Sequence, residues 1–164
     1  MHRLILICLL VLLGCGHRPP TSSPAVPSTV RDPAAPIYSS AVLDPARIQG
    51  HWVQVAGFGT DPACGPGVVD IGAGYIDWSL CLGTGRSGAG PLIPGKPGRF
   101  AVPGMPDWWV LWADGDYRTL VIGTPSGQMG FVLNRDAALP ADRAKAVRDI
   151  LKFNGYNLDT LRFF

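Results

Sequence analysis

Four cysteines, three histidines and twelve acidic side chains are the groups in this 164-residue chain that could do chemistry. Their spacing gives catalysis little to work with. Beyond the N-terminal forty residues the only histidine is His51. No Ser/His/Asp arrangement surrounds it, and no His, Cys or carboxylate cluster has metal-ligand spacing. Gly83, Gly85, Gly88 and Gly90 make a glycine-rich stretch, but no helical pattern follows whose N-terminus would receive a phosphate. Asp70 and Asp77 are either a carboxylate pair or two solvated strand positions. The chain therefore reads as a non-enzyme without metal or cofactor. Its net charge of +2 is scattered, with no basic cluster for nucleic acid.

The cysteines are more informative. The chain opens Met1-His2-Arg3, runs apolar from Leu4 to Leu13, and reaches Gly14-Cys15. A basic start, a short apolar run and a small residue describe a secretory signal. About ten apolar residues fall short of the roughly twenty that span a bilayer. Leu12-Leu13-Gly14-Cys15 resembles the bacterial lipobox, whose cysteine is acylated after cleavage; an ordinary cleaved signal is the alternative. Gly16 after that cysteine, rather than Asp, resembles the pattern sorted to the outer membrane. Residues 1–14 are then the signal and Cys15 the lipid anchor, carrying palmitate-like chains on a periplasm-facing protein. Each buried methylene of such chains contributes about 0.8 kcal/mol.

Cys8 leaves with the signal, so Cys64 and Cys81 remain, an even pair in a compartment that permits disulfides. A bond between them closes a loop worth about 3 kcal/mol in the chain-entropy model; two free thiols are the alternative.

These residues must be positioned by the elements around them. From Cys15 to Ser40 the chain is rich in Pro, Ser, Thr and Ala with no hydrophobic period, which predicts a flexible tether. Residues 41–164 suit one domain. Within it, Asp107 to Asp136 reads as three antiparallel strands, Trp108–Ala113, Tyr117–Gly123 and Gln128–Asn134, turning at Asp114-Gly115-Asp116 and Thr124-Pro125-Ser126-Gly127. His51–Phe58 is a strand with Trp52, Gln54, Ala56 and Phe58 on one face. Two more strands are expected at Val68–Ile71 and Tyr75–Leu82. From Gly83 to Pro106 the density of Gly and Pro leaves only Arg99–Val102 as a convincing strand. Pro140–Phe153 has the apolar stripe Ala144, Val147, Ile150, Leu151 of an amphipathic helix, with Gly155 as its stop. Leu158–Phe164 predicts a last short strand.

Gly50-His51-Trp52, with Leu43-Asp44 and Arg47 before it, resembles the first motif of the lipocalins, G-x-W. Trp108–Ala113 followed by Asp114, Asp116 and Tyr117 resembles the run that ends in the D-x-D-Y turn of bacterial lipocalins. Val132-Leu133-Asn134-Arg135 resembles the third motif, and Gly155–Asp159 the end of the family's helix. The resemblance covers Leu43–Phe58 and Asp107–Phe164, and is thin over Gly59–Pro106. It implies a mostly β protein: a small antiparallel barrel, of eight full strands or fewer, and one C-terminal helix on its side. It also implies that Trp52 plugs a closed end, that Arg135 stacks over its indole, and that Asp114, Asp116 and Tyr117 form a turn there. A barrel of this size holds one small ligand.

Aromatic residues are the candidates for such a ligand. Strand alternation places Trp108, Val110 and Trp112 on one face and Trp109 on the other; Trp78 and Phe58 are further candidates. The function expected is burial of a small hydrophobic molecule, of fatty acid or lysophospholipid class, by a membrane-anchored protein. A structural lipoprotein with a filled barrel that binds another envelope component is the alternative.

Overall fold

A computed structural model describes residues 29–59 and 61–164. The signal segment, Cys15 and the first part of the tether lie outside the described residues. Ten strands form one antiparallel sheet: β1 (Gly50–Phe58), β2 (Val68–Ile71), β3 (Tyr75–Leu82), β4 (Thr84–Pro91), β5 (Ile93–Pro94), β6 (Arg99–Ala101), β7 (Trp108–Ala113), β8 (Thr119–Gly123), β9 (Gly130–Asn134) and β10 (Leu161–Phe163). Nine of them follow the order β4-β3-β2-β1-β9-β8-β7-β6-β5, with β10 added to β1. The sheet curls into a nearly closed barrel. Its two edges meet where Pro103 abuts Gly90 and Arg86 reaches the Gly104 carbonyl.

The hairpin signals act as expected. Asp114 heads the β7–β8 turn, its carboxylate accepting from the backbone of Arg118 and Thr119. The tight backbone carries Tyr117 at φ 55°. The stretch read as too rich in Gly and Pro for strands nevertheless holds β4, which pairs with β3 along its whole length. Glycine is tolerated because β4 is an edge: opposite Trp78 lies Gly88, where a Cβ would stand 2.7 Å from the indole. The barrel thus has more strands than its middle composition suggested, though β5 and β6 are short.

Two apolar layers result. The inner one fills the barrel with Trp52, Trp78, Phe100, Trp108, Phe131 and the aliphatic residues between them. The outer one lies under α1 (Ala141–Phe153), which buries Val147 and Leu151 against Val121, Val132 and Leu111. No side chain caps the start of α1. Its end closes on Gly155, at φ 80°, through bonds from Gly155 to Lys152 and from Tyr156 to Leu151.

A glycine pair seats the chain after α1. Gly123 and Gly130 face each other across β8 and β9, and a Cβ on either would collide with the Tyr156 ring. Tyr156 packs into that saddle, stacked on Phe58 with ring centres 5.1 Å apart.

The tether expected over residues 15–40 is corrected for its described part. Residues 29–40 lie against the barrel. Val30 bonds to Gly127 and Asn157, Asp32 to Gly155, and Ser40 to Val110. Arg31 is 2% exposed. Its guanidinium donates to the carbonyls of Asn154, Pro125 and Ala35. Composition hid this because one buried arginine with backbone partners leaves no hydrophobic period.

Candidate functional site

One end of the barrel is shut. Trp52 is fully buried and its indole donates to the Ile48 carbonyl at 2.7 Å. The Arg135 guanidinium lies over the ring, 3.6 Å from its centre, and donates to the carbonyls of Gln49, Arg47 and His51. Burial, and then the nearby Arg118 charge, lowers the Arg135 pKa from its ordinary value. Gly50 sits at φ 105° beneath that guanidinium, where a Cβ would meet Nη1 at 3.0 Å. Tyr117 completes this end: its hydroxyl accepts from the Asp44 backbone and Arg47 covers its ring. Asp114 shapes the same turn and Asp116 lies exposed within it. This end is built from stacking and backbone bonds, and Arg47, Asp114 and Arg135 all have structural partners there.

The interior receives Trp78, Trp108 and Val110, three of the candidate ligand residues. Two others are corrected. A bulge in β7 between Val110 and Trp112 adds a residue to the count, so Trp112 joins Trp109 and Leu111 on the outer layer. A second bulge in β1 between Gln54 and Ala56 turns Phe58 out of the interior as well; it stacks on Tyr156 in the outer layer and reaches only the rim. A bulge shifts every later side chain to the opposite face, and simple alternation cannot show it.

The interior is filled. Trp52, Val69, Ile76, Phe131 and Leu133 are 0% exposed, and Trp78, Trp108 and Val110 are 2%. A wall residue of a cavity wide enough for water would keep accessible surface; these keep almost none. Two polar atoms in this packing lack a partner among the described residues, the indole Nε1 groups of Trp78 and Trp108. A buried unsatisfied donor costs about 1–3 kcal/mol.

The opposite end is the open one. Phe58, Leu82, Gly83, Val30, Met129 and Gly130 line a recess of about 190 Å³ there. Met129 is both in this lining and in the inner layer, 7% exposed. Just beneath, Trp108 meets Phe131 edge to face at 5.0 Å. Tyr156 is tied to the same rim: its hydroxyl accepts from Thr124 and donates to the Met129 carbonyl. Burial raises the Tyr156 pKa to about 12, against the smaller lowering by the Thr124 bond and the Arg31 charge.

Beside the rim, Cys64 and Cys81 are joined in a disulfide that clips the β1–β2 loop to β3. Where β2 stops, the Gln54 side chain replaces a strand, bonding both the N–H and the carbonyl of Cys81. Gly67 makes room: a Cβ there would lie 2.8 Å from Gln54 Oε1 and 2.2 Å from the Ser79 oxygen. An open polar cleft of about 440 Å³ borders this corner. Sequence reading did not single out Gln54, because a lone Gln in a strand carries no signal of its distant partner. His51 pairs with Asp70 at 2.8 Å on the surface, and Asp70 stands opposite Asp77 across the β2–β3 ladder, all three exposed. Among the described residues no group of three His, Cys or acidic side chains could hold a metal. No described helix is long and apolar enough to cross a membrane.

A nearly closed antiparallel barrel with a shut end at a G-x-W tryptophan, an arginine over its ring and one C-terminal helix defines a lipocalin-like fold. Residues 96–164 match the family model described as a lipocalin-like domain. Among the solved structures that share the fold, lipocalin 12 from rat epididymis aligns over 77% of this chain and 87% of its own, with TM-score 0.58 and 16% identity. The siderocalin Ex-FABP, described as functioning through dual ligand specificities, aligns over 72% of this chain and 93% of its own, with TM-score 0.52 and 11% identity. No curated protein matches the chain.

Proposed function

We propose that this chain is a lipid-anchored, lipocalin-like protein of the bacterial cell envelope that takes a small hydrophobic molecule of the fatty acid or lysophospholipid class at its open rim. The observation that carries the reading is the recess at the end opposite the Trp52 plug, where Phe58, Leu82, Val30 and Met129 supply the apolar part of a lining that also includes Gln128. Val30 also supports the membrane geometry, because the chain enters the domain beside that recess. A lipid on Cys15 would hold the rim within roughly 50 Å of the bilayer, the reach of the intervening residues at full extension. The outer membrane, facing the periplasm, is the location that Gly16 favours. Burying an apolar ligand there contributes about 25 cal/mol per Å² before association costs.

Titration of intrinsic tryptophan fluorescence with a fatty acid and a lysophospholipid below their micelle concentrations tests the ligand. A saturable change at micromolar concentration is expected. Membrane fractionation of Cys15→Ser tests the anchor: the protein should become soluble, and retention in the membrane fraction overturns the lipidation reading.

The filled interior favours a second reading, in which the barrel is a rigid scaffold and an outer face binds another envelope component. A flat fluorescence response from a cooperatively folded protein supports it.

A further inference from the structure

The inner layer holds two hydrogen-bond donors with no acceptor among the described residues, Trp78 Nε1 and Trp108 Nε1, on indoles 2% exposed. Buried indole N–H groups ordinarily find an acceptor, as Trp52 does at the Ile48 carbonyl. The two orphans enter from different walls, β3 and β7. The Trp78 indole nitrogen lies beside Gly88, the residue with no side chain on the facing edge strand. Trp108 packs on Phe131, and Met129, two residues before Phe131 and in the same inner layer, lines the rim recess. Met129, Phe131 and Trp108 thus belong to one packed layer, with Met129 at the rim and an unused donor on Trp108. The unbranched thioether of Met129 is the side chain that repacks most readily.

Charge decides what those donors accept. The only charged side chain buried among the described residues, Arg31, is committed to the carbonyls of Asn154, Pro125 and Ala35, and the buried amide of Gln54 is committed to the Cys81 backbone. Arg135 is outside the filled interior, committed to the carbonyls at the closed end. Arg86 is on the inner face of β4 but exposed, turned to the Gly104 carbonyl at 3.4 Å. A carboxylate brought among the indoles would be buried without a counter-charge, which is far costlier than burying a neutral carbonyl. From this we infer that the interior accepts a neutral, carbonyl-bearing apolar molecule, an ester or ketone, with Met129 displaced and the carbonyl oxygen accepting from the indole N–H of Trp78, Trp108 or both. The inference rests on the small-ligand reading above and departs from it in one respect: the group held in the interior is a neutral carbonyl, as in an acyl ester, in place of the carboxylate of a free fatty acid.

Isothermal titration of the full chain with octane, 2-octanone and octanoate tests it, alongside the indole N–H resonances of the labelled protein. 2-Octanone should bind about tenfold more tightly than octane, the equivalent of one net hydrogen bond, and more tightly than octanoate. The Trp78 and Trp108 indole resonances should move downfield with 2-octanone and not with octane. Trp78→Phe with Trp108→Phe should bring 2-octanone to the affinity of octane. The resonance shifts are read on the unsubstituted protein, so they decide the matter even where that double variant folds poorly. Equal binding of octane and 2-octanone with unmoved indole resonances overturns the inference and leaves the small-ligand reading standing. Tightest binding of octanoate overturns the neutral class. Absence of binding by all three overturns both.

Discussion

The guanidinium carbon of Arg135 lies 3.6 Å above the centre of the Trp52 ring, while the edge of that same ring donates to Ile48. One residue thus holds three segments together: the turn before β1, β1 itself and the end of β9. Stacking of this kind contributes about 0.5–2 kcal/mol, and the bonds to three carbonyls add to it. Trp52→Ala should destabilise the fold by about 3–5 kcal/mol. Arg135→Lys keeps the charge but loses the planar fork, and should cost about 1–3 kcal/mol. Denaturant unfolding checks both; an unchanged midpoint for Trp52→Ala would show that the closed end does not support the barrel.

The disulfide is the second constraint. Cys64 and Cys81 are 17 positions apart. Replacing both with Ser should lower stability by about 3 kcal/mol through the freedom regained by the unfolded loop. Calorimetry of the two forms measures it. A fall much larger than this would mean that the Gln54 bonds to Cys81 are lost together with the bridge.

Arg31 makes the strap testable. Arg31→Ala removes donors from three carbonyls, at about 1.5–3 kcal/mol for bonds to a charged group. Amide exchange should quicken at Val30, Asp32 and Asn157, whose backbone bonds hold the strap. Amides of β8 and β9 should keep their protection. Uniform quickening everywhere would mean the strap belongs to the global folding unit instead.

Tyr156 sets the alkaline limit. Its folded pKa, about 12, stands above the ordinary 10.0. The folded state therefore keeps a proton that the unfolded chain releases. The stabilisation is complete below the unfolded value and is lost as pH rises from about 10 through about 12. Unfolding free energy should fall across that window, with one tyrosine ionising only at its upper end by tyrosinate absorbance. Tyr156→Phe should remove this pH dependence and cost about 1–3 kcal/mol at neutral pH, because the Thr124 N–H and the Met129 carbonyl lose their partner. Ionisation of every tyrosine near 10 would contradict the buried seat on Gly123 and Gly130.

Much of the barrel was legible in local chemistry. Asp114-Gly115 and Pro125–Gly127 mark turns because few residues accept those backbone angles, and α1 shows its buried stripe at helical spacing. The G-x-W tryptophan and Arg135 are recognisable in type, as are the two cysteines. All of these are signals within a few residues, or identities that survive any change of register. Tertiary structure alone decided where Trp112 and Phe58 point, because a bulge is set by the partner strand's register and leaves no mark in its own composition. It decided that Gly-rich β4 is a strand, since only pairing with β3 holds an edge of so little intrinsic preference. It turned a Pro/Ser-rich approach into a strap through one arginine. And it filled the barrel: whether side chains from seven strands leave room or close it depends on their packed volumes across the sheet, which is a property of the assembled core and of no segment taken alone.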